Sequence, residues 1–122
     1  MIETMQGLPD GVLGFIARGK VTSVEYRTIK TPRIEAAFAQ HRKLRVLWLM
    51  GNDFRGFEFG AVWQDLTLGL RHWRGWECIA LVTDTPWLRG IAFAFGFLIP
   101  GEFRLFPLCE LDSAKHWISE GL

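Results

Sequence analysis

A chain of 122 residues, 49% hydrophobic and 22% charged, is long enough for one core and too apolar to be disordered. Its formal net charge of +1, with no block of Lys or Arg, argues against nucleic acid as a partner. Six Trp and ten Phe are many for this size, so some large aromatics are expected at the surface. We read residues 1–122 as one domain.

Met1–Met5 lacks a basic region followed by an apolar run. No signal peptide is therefore expected, and the cytoplasm is the expected compartment. Ile2–Gln6 and Val12–Arg18 flank Pro9-Asp10-Gly11, and the Asp-Gly pair between two apolar runs predicts an antiparallel hairpin. Thr22 or Ser23 can cap a helix through Ile29, with Glu25 in the capping-box position three residues after Thr22. Pro32 restarts or kinks that helix, and Ile34, Ala37 and Phe38 supply its inward side as far as Gln40.

Leu44–Met50 and Cys78–Thr83 are nearly continuous apolar runs, as in strands buried on both faces of a parallel sheet. Between them, Phe59, Trp63, Leu66, Leu70 and Trp73 recur at helical spacing, with Gln64, Asp65, Arg71 and His72 opposite. Phe59 is assigned to the core. Pro86–Ile99 starts like a helix, capped by Asp84 or Thr85 with Pro86 in the first turn. Arg89 is its only charge, and its apolar residues go all the way round. Such a helix buries its outer face in protein core, in a second subunit, on a hydrophobic ligand or at a membrane surface. It is too short to span a bilayer, which takes about 17–25 residues. Phe103–Phe106 is a last strand, and Leu111, Ala114, Trp117 and Ile118 form a closing helix with Gly121 as its stop. Alternation of strand and helix predicts an α/β fold: a mostly parallel five-stranded sheet, first strand antiparallel, flanked by helices.

Candidate chemistry is sparse. Cys78 and Cys109 have no metal-ligand spacing and read as reduced, buried, small apolar residues. His41, His72 and His116 lie near helix ends or off the apolar stripe and read as solvated. Asp53, Asp65 and Asp84 can converge at the strand ends, although Asp84 reads better as a cap and Asp65 as a solvated or Arg-paired residue. Arg71-His72-Trp73-Arg74-Gly75-Trp76 mixes base and aromatic, a pattern that serves single strands or anionic membranes, and equally well a helix end. No nucleophile elbow, P-loop or zinc motif is present, so no catalytic residue, metal or cofactor is expected.

Several segments carry a family resemblance: Gly7-Leu8-Pro9-Asp10-Gly11-Val12-Leu13-Gly14-Phe15, Gly19-Lys20-Val21-Thr22, Phe54-Arg55-Gly56-Phe57, Trp63-Gln64-Asp65, Leu70-Arg71-His72, Ala80-Leu81-Val82-Thr83-Asp84 and Phe95-Gly96-Phe97-Leu98-Ile99-Pro100-Gly101-Glu102. Over nearly the whole chain these resemble the bacterial SpoIIAA-like family. The resemblance implies a fold related to STAS and CRAL-TRIO domains, with helices that open and close over an apolar interior. The STAS phospho-switch needs Ser or Thr at the helix start after the third strand. Gly51–Gly60, the corresponding stretch, has neither, so the switch does not carry over.

Phe54 and Phe57 sit in what reads as an exposed loop leaving a strand end, where ligands of parallel sheets bind. They either seal the core or, with Trp63, Trp87, Ile91, Phe93 and Phe97, wall an apolar cavity. The expected function is non-enzymatic binding of a small apolar or lipid-like ligand, with peripheral contact at the inner membrane surface. The alternative is a protein-interaction or homodimerisation module using helix 86–99.

Overall fold

The computed structural model describes residues 1–120. Five strands form one mixed sheet: β1 (Ile2–Thr4), β2 (Val12–Val21), β3 (Leu44–Phe57), β4 (Trp76–Thr83) and β5 (Glu102–Phe106). They lie side by side in chain order, β1 antiparallel to β2 and the other neighbours parallel. The β1–β2 connection turns at Gly11, whose φ of 84° suits glycine, and the Val12 amide donates to the Pro9 carbonyl at 3.1 Å.

When parallel neighbours follow in chain order, right-handed crossovers put every connecting helix on the same face. That face carries α1 (Ser23–Glu25), α2 (Thr31–Phe38), α3 (Phe59–Arg71) and α4 (Pro86–Phe95). The final helix, α5 (Leu111–Ile118), covers the opposite face. The pleat sorts the strands between two cores: Val46, Trp48, Met50 and Leu81 face the crossover helices, while Leu47, Ala80 and Val82 meet Ala114 and Ile118 of α5. Gly121, the expected stop, lies outside the described residues.

The capping box at Thr22 forms as expected: the Glu25 amide donates to the Thr22 side chain, and Glu25 accepts from the Thr22 amide at 3.1 Å. Beyond it Pro32 stands in the first turn of a restarted helix, as expected, but the chain between is helical too. It widens into a π-helical turn, Tyr26–Lys30, in which the Thr31 amide reaches the Tyr26 carbonyl, and then continues as α2. Such turns often mark functional sites, because an extra residue in the turn re-aims its side chains.

Four expectations need correction. Gly51–Phe57 is no loop: β3 runs on to Phe57, and Phe54 and Phe57 pair with Gly19 and Val21 of β2. Backbone pairing to a long β2, with shifts of register near Gly19, overrides the loop-like Gly-Asn-Asp sequence. Phe59 is not core. It is 84% exposed: the N-terminal part of the α3 stripe, Phe59 and Trp63, faces outward, and only Ala61 and Leu68 of that helix are buried. Cys109 is exposed in the short turn Leu108–Glu110, while Cys78 is buried in β4, where burial raises its thiol pKa. Asp84 caps no helix at α4; its carboxylate accepts the Leu108 amide at 3.0 Å and ties the end of β4 to the chain after β5.

Candidate functional site, an apolar cleft over the sheet

Helices α3 and α4 stand off from the sheet. No residue of α4 is buried. It is held at its start by Arg89, the one charge of the segment, whose guanidinium donates to the Thr83 carbonyl at 2.9 Å. Leu88 and Ala92 turn inward and pack against the core, yet space remains between the helices and the sheet. The result is a cleft of about 460 Å³, a size suited to a small organic ligand. Its floor is the sheet face carrying Val46, Trp48, Met50, Ile79 and Leu81. Leu66, Leu68 and Leu70 of α3 form one wall, and Leu88, Ile91 and Phe95 of α4 the other.

Two polar side chains break this surface, Lys30 and Asp65. Lys30 is only 5% exposed. The π-helical turn aims it into the core, where its ammonium lies 4.4 Å from the Trp48 ring centre and 4.8 Å from that of Tyr26. It donates to Asp65 at 2.7 Å, and the Tyr26 hydroxyl donates to the same carboxylate at 3.1 Å. Burial, followed by the Asp65 charge, pushes the Tyr26 phenol far above its ordinary pKa, so it stays a donor. The cleft therefore holds an ion pair with no net charge, inside aromatic walls.

The residues singled out from the sequence are not all brought together. Phe57 and Ile91 line the cleft. Phe54 is buried behind Phe57, with ring centres 5.2 Å apart, and touches Trp87 at 6.2 Å. Trp63, Phe93 and Phe97 lie outside the cleft and are 63%, 88% and 79% exposed. Asp53, Asp65 and Asp84 form no cluster: Asp53 pairs with Arg18 at 3.5 Å, and Asp65, half exposed to solvent as expected, pairs with Lys30 and not with an Arg. Among the described residues no group of His, Cys, Asp and Glu can hold a metal ion. His72 is not solvated. It stacks on Phe38 at 4.1 Å and hydrogen-bonds Glu35 at 2.8 Å, a contact that, with Arg71, holds the Glu35 carboxyl below its ordinary range.

Sequence reading missed Lys30, Tyr26 and Trp48. The available signal was the Tyr26/Lys30 pair, four apart on a helix. Its partner Asp65 is 35 residues further on, which no local pattern reveals.

A five-stranded mixed sheet with its crossover helices on one face and an apolar cleft beneath them defines an α/β fold of SpoIIAA-like type. A SpoIIAA-like family model matches residues 12–119, and the chain belongs to the SpoIIAA-like family. Among solved structures it is similar to an uncharacterized protein of the DUF3478 family with a SpoIIAA-like fold from Shewanella loihica PV-4. That similarity has a TM-score of 0.72 and 26% identity and covers 97% of this chain and 92% of the other. None of the curated proteins matches the chain.

Proposed function

We propose that the protein binds a small apolar or lipid-like ligand in the cleft between the sheet and helices α3 and α4, without catalysing a reaction. The observation that carries this reading is the cleft itself: about 460 Å³ of space over the sheet, walled by Leu, Ile, Phe and Trp. A packed core leaves few voids larger than a water molecule. Burying an apolar chain here recovers hydrophobic free energy that the stand-off of α4 otherwise forgoes. No helix among the described residues is long and apolar enough to cross a membrane. Phe59 and Trp63 of α3, and Phe93 and Phe97 of the α4 segment, are exposed apolar side chains outside the cleft, and peripheral contact with the inner membrane surface would cover them.

The outward Phe93 and Phe97 favour a second reading, a homodimer or interaction module formed through helix 86–99. Native mass spectrometry of freshly purified protein separates the two. A co-purifying lipid-sized mass on the monomer supports the cleft. A ligand-free stable dimer supports the alternative and counts against the first reading. The STAS phospho-switch is no part of either: α3 begins at Phe59 behind Glu58, and Gly51–Gly60 has no hydroxyl side chain to phosphorylate.

A further inference from the structure

The cleft carries no net charge, but the groove beside it does. An open groove of about 790 Å³ lies at the C-terminal end of α3. Four cations line it: Arg42 and Lys43 from the segment before β3, and Arg71 and Arg74 from the end of α3 and the turn after it. Glu35 offsets part of this, accepting from Arg71 at 3.1 Å and from His72. Arg42, Lys43 and Arg74 make no ion pair among the described residues. A chain with a formal net charge of only +1 thus gathers four of its 14 Lys and Arg around one depression. A favourable helix-end position explains Arg71. It does not explain Arg42 and Lys43, which come from a different segment.

The groove adjoins the cleft. Leu70 and Trp73 line both. Phe38 lines the groove and Trp76 the cleft, and their rings meet edge to face at 5.4 Å, so one pair of aromatic rings divides the two spaces. A molecule passing over Leu70 and Trp73 has its apolar part in the cleft and its end among the cations.

The geometry points to a ligand that is an anionic amphiphile, its chain in the cleft and its phosphate or carboxylate head held by Arg42, Lys43 and Arg74. Guanidinium groups bind such heads through paired, charge-assisted hydrogen bonds. This inference rests on the cleft being a ligand site.

The test compares decyl phosphate, decyl maltoside and decyltrimethylammonium below their micelle concentrations, with inorganic phosphate as the tail-free arm. Intrinsic Trp fluorescence reports binding, since Trp73 stands at the shared wall. Decyl phosphate is expected to bind about tenfold more tightly than decyl maltoside at low salt. That advantage should shrink as salt rises. The R42Q/K43Q/R74Q variant, altered only at exposed positions, should lose it while binding the maltoside as before. Equal affinity for the three heads, with chain-dependent binding intact, overturns the headgroup site and leaves the cleft reading standing. An unchanged phosphate preference in the triple variant also overturns it. Inorganic phosphate binding as tightly as decyl phosphate makes the groove a free-anion site and overturns its link to the cleft. Failure of all three amphiphiles to bind sinks the cleft reading and this inference together.

Discussion

The Lys30 ammonium sits 2.7 Å from the Asp65 carboxylate at the edge of an otherwise apolar cleft, and the two partners differ in exposure. The Lys30 side chain is 7% exposed and that of Asp65 49%. Removing one partner from such a pair is therefore not equivalent to removing the other. Asp65→Ala leaves a buried ammonium without its anion, and we expect a loss of about 1–3 kcal/mol in stability. Lys30→Met fills the same aromatic box with an unbranched apolar chain and leaves a carboxylate that water reaches, so the loss should be smaller. Urea unfolding of both variants checks this. The reverse order would mean that the ion pair does not govern the site.

Arg89 should control how firmly α4 is seated. Its bond to the Thr83 carbonyl is a charged contact on a helix with no buried residue. Arg89→Met should raise amide exchange through Pro86–Phe95 while leaving β3 and β4 protected. Exchange in α4 equal to wild type would show that apolar contacts alone hold it.

Glu25 should make part of the stability acid-sensitive. Burial raises its carboxyl pKa, but amide hydrogen bonds from Thr22 and Ile2 and the N-terminal ammonium outweigh burial and hold it below the ordinary value of 4.5. A carboxyl depressed in the folded state contributes stability above its unfolded pKa, and that contribution is lost as pH falls through the folded value. Glu25→Gln should therefore be less stable than wild type near neutrality. The difference should fade below about pH 4.5 and vanish in stronger acid. A pH-independent difference would assign the effect to the altered cap geometry.

The fold was legible because the apolar runs Leu44–Met50 and Cys78–Thr83, the Asp10-Gly11 turn and the Thr22 capping box each report local physics, and the family resemblance joined them. The site was legible only in part. Helical spacing from Phe59 to Trp73 showed that α3 has one apolar side; it did not show which side meets the sheet. The stripe is split: Leu66, Leu70 and Trp73 line the cleft while Phe59 and Trp63 stay outside it, and Asp65 and Gln64 from the polar side also reach the domain, Asp65 to Lys30 and Gln64 to the Ser23 carbonyl at 3.1 Å. The extension of β3 through Gly51–Phe57 was hidden because its cause lies in another strand, β2. Phe93 and Phe97 read as ligand contacts because α4 is apolar all round. Which of its sides faces the cleft is set by where Arg89 and Leu88 attach.

The cleft reading is tested most directly by a series of straight-chain alkyl carboxylates of increasing length, titrated below micelle formation and followed by Trp fluorescence. Each added methylene should tighten binding about fourfold, or ~0.8 kcal/mol, until the cleft is full. Leu88→Ser and Phe95→Ser, which change the cleft wall, should weaken binding more than Phe93→Ser or Asp53→Ala, which lie outside it. Affinity that stays flat with chain length, or that survives Leu88→Ser and Phe95→Ser but not Asp53→Ala, would contradict an apolar binding cleft.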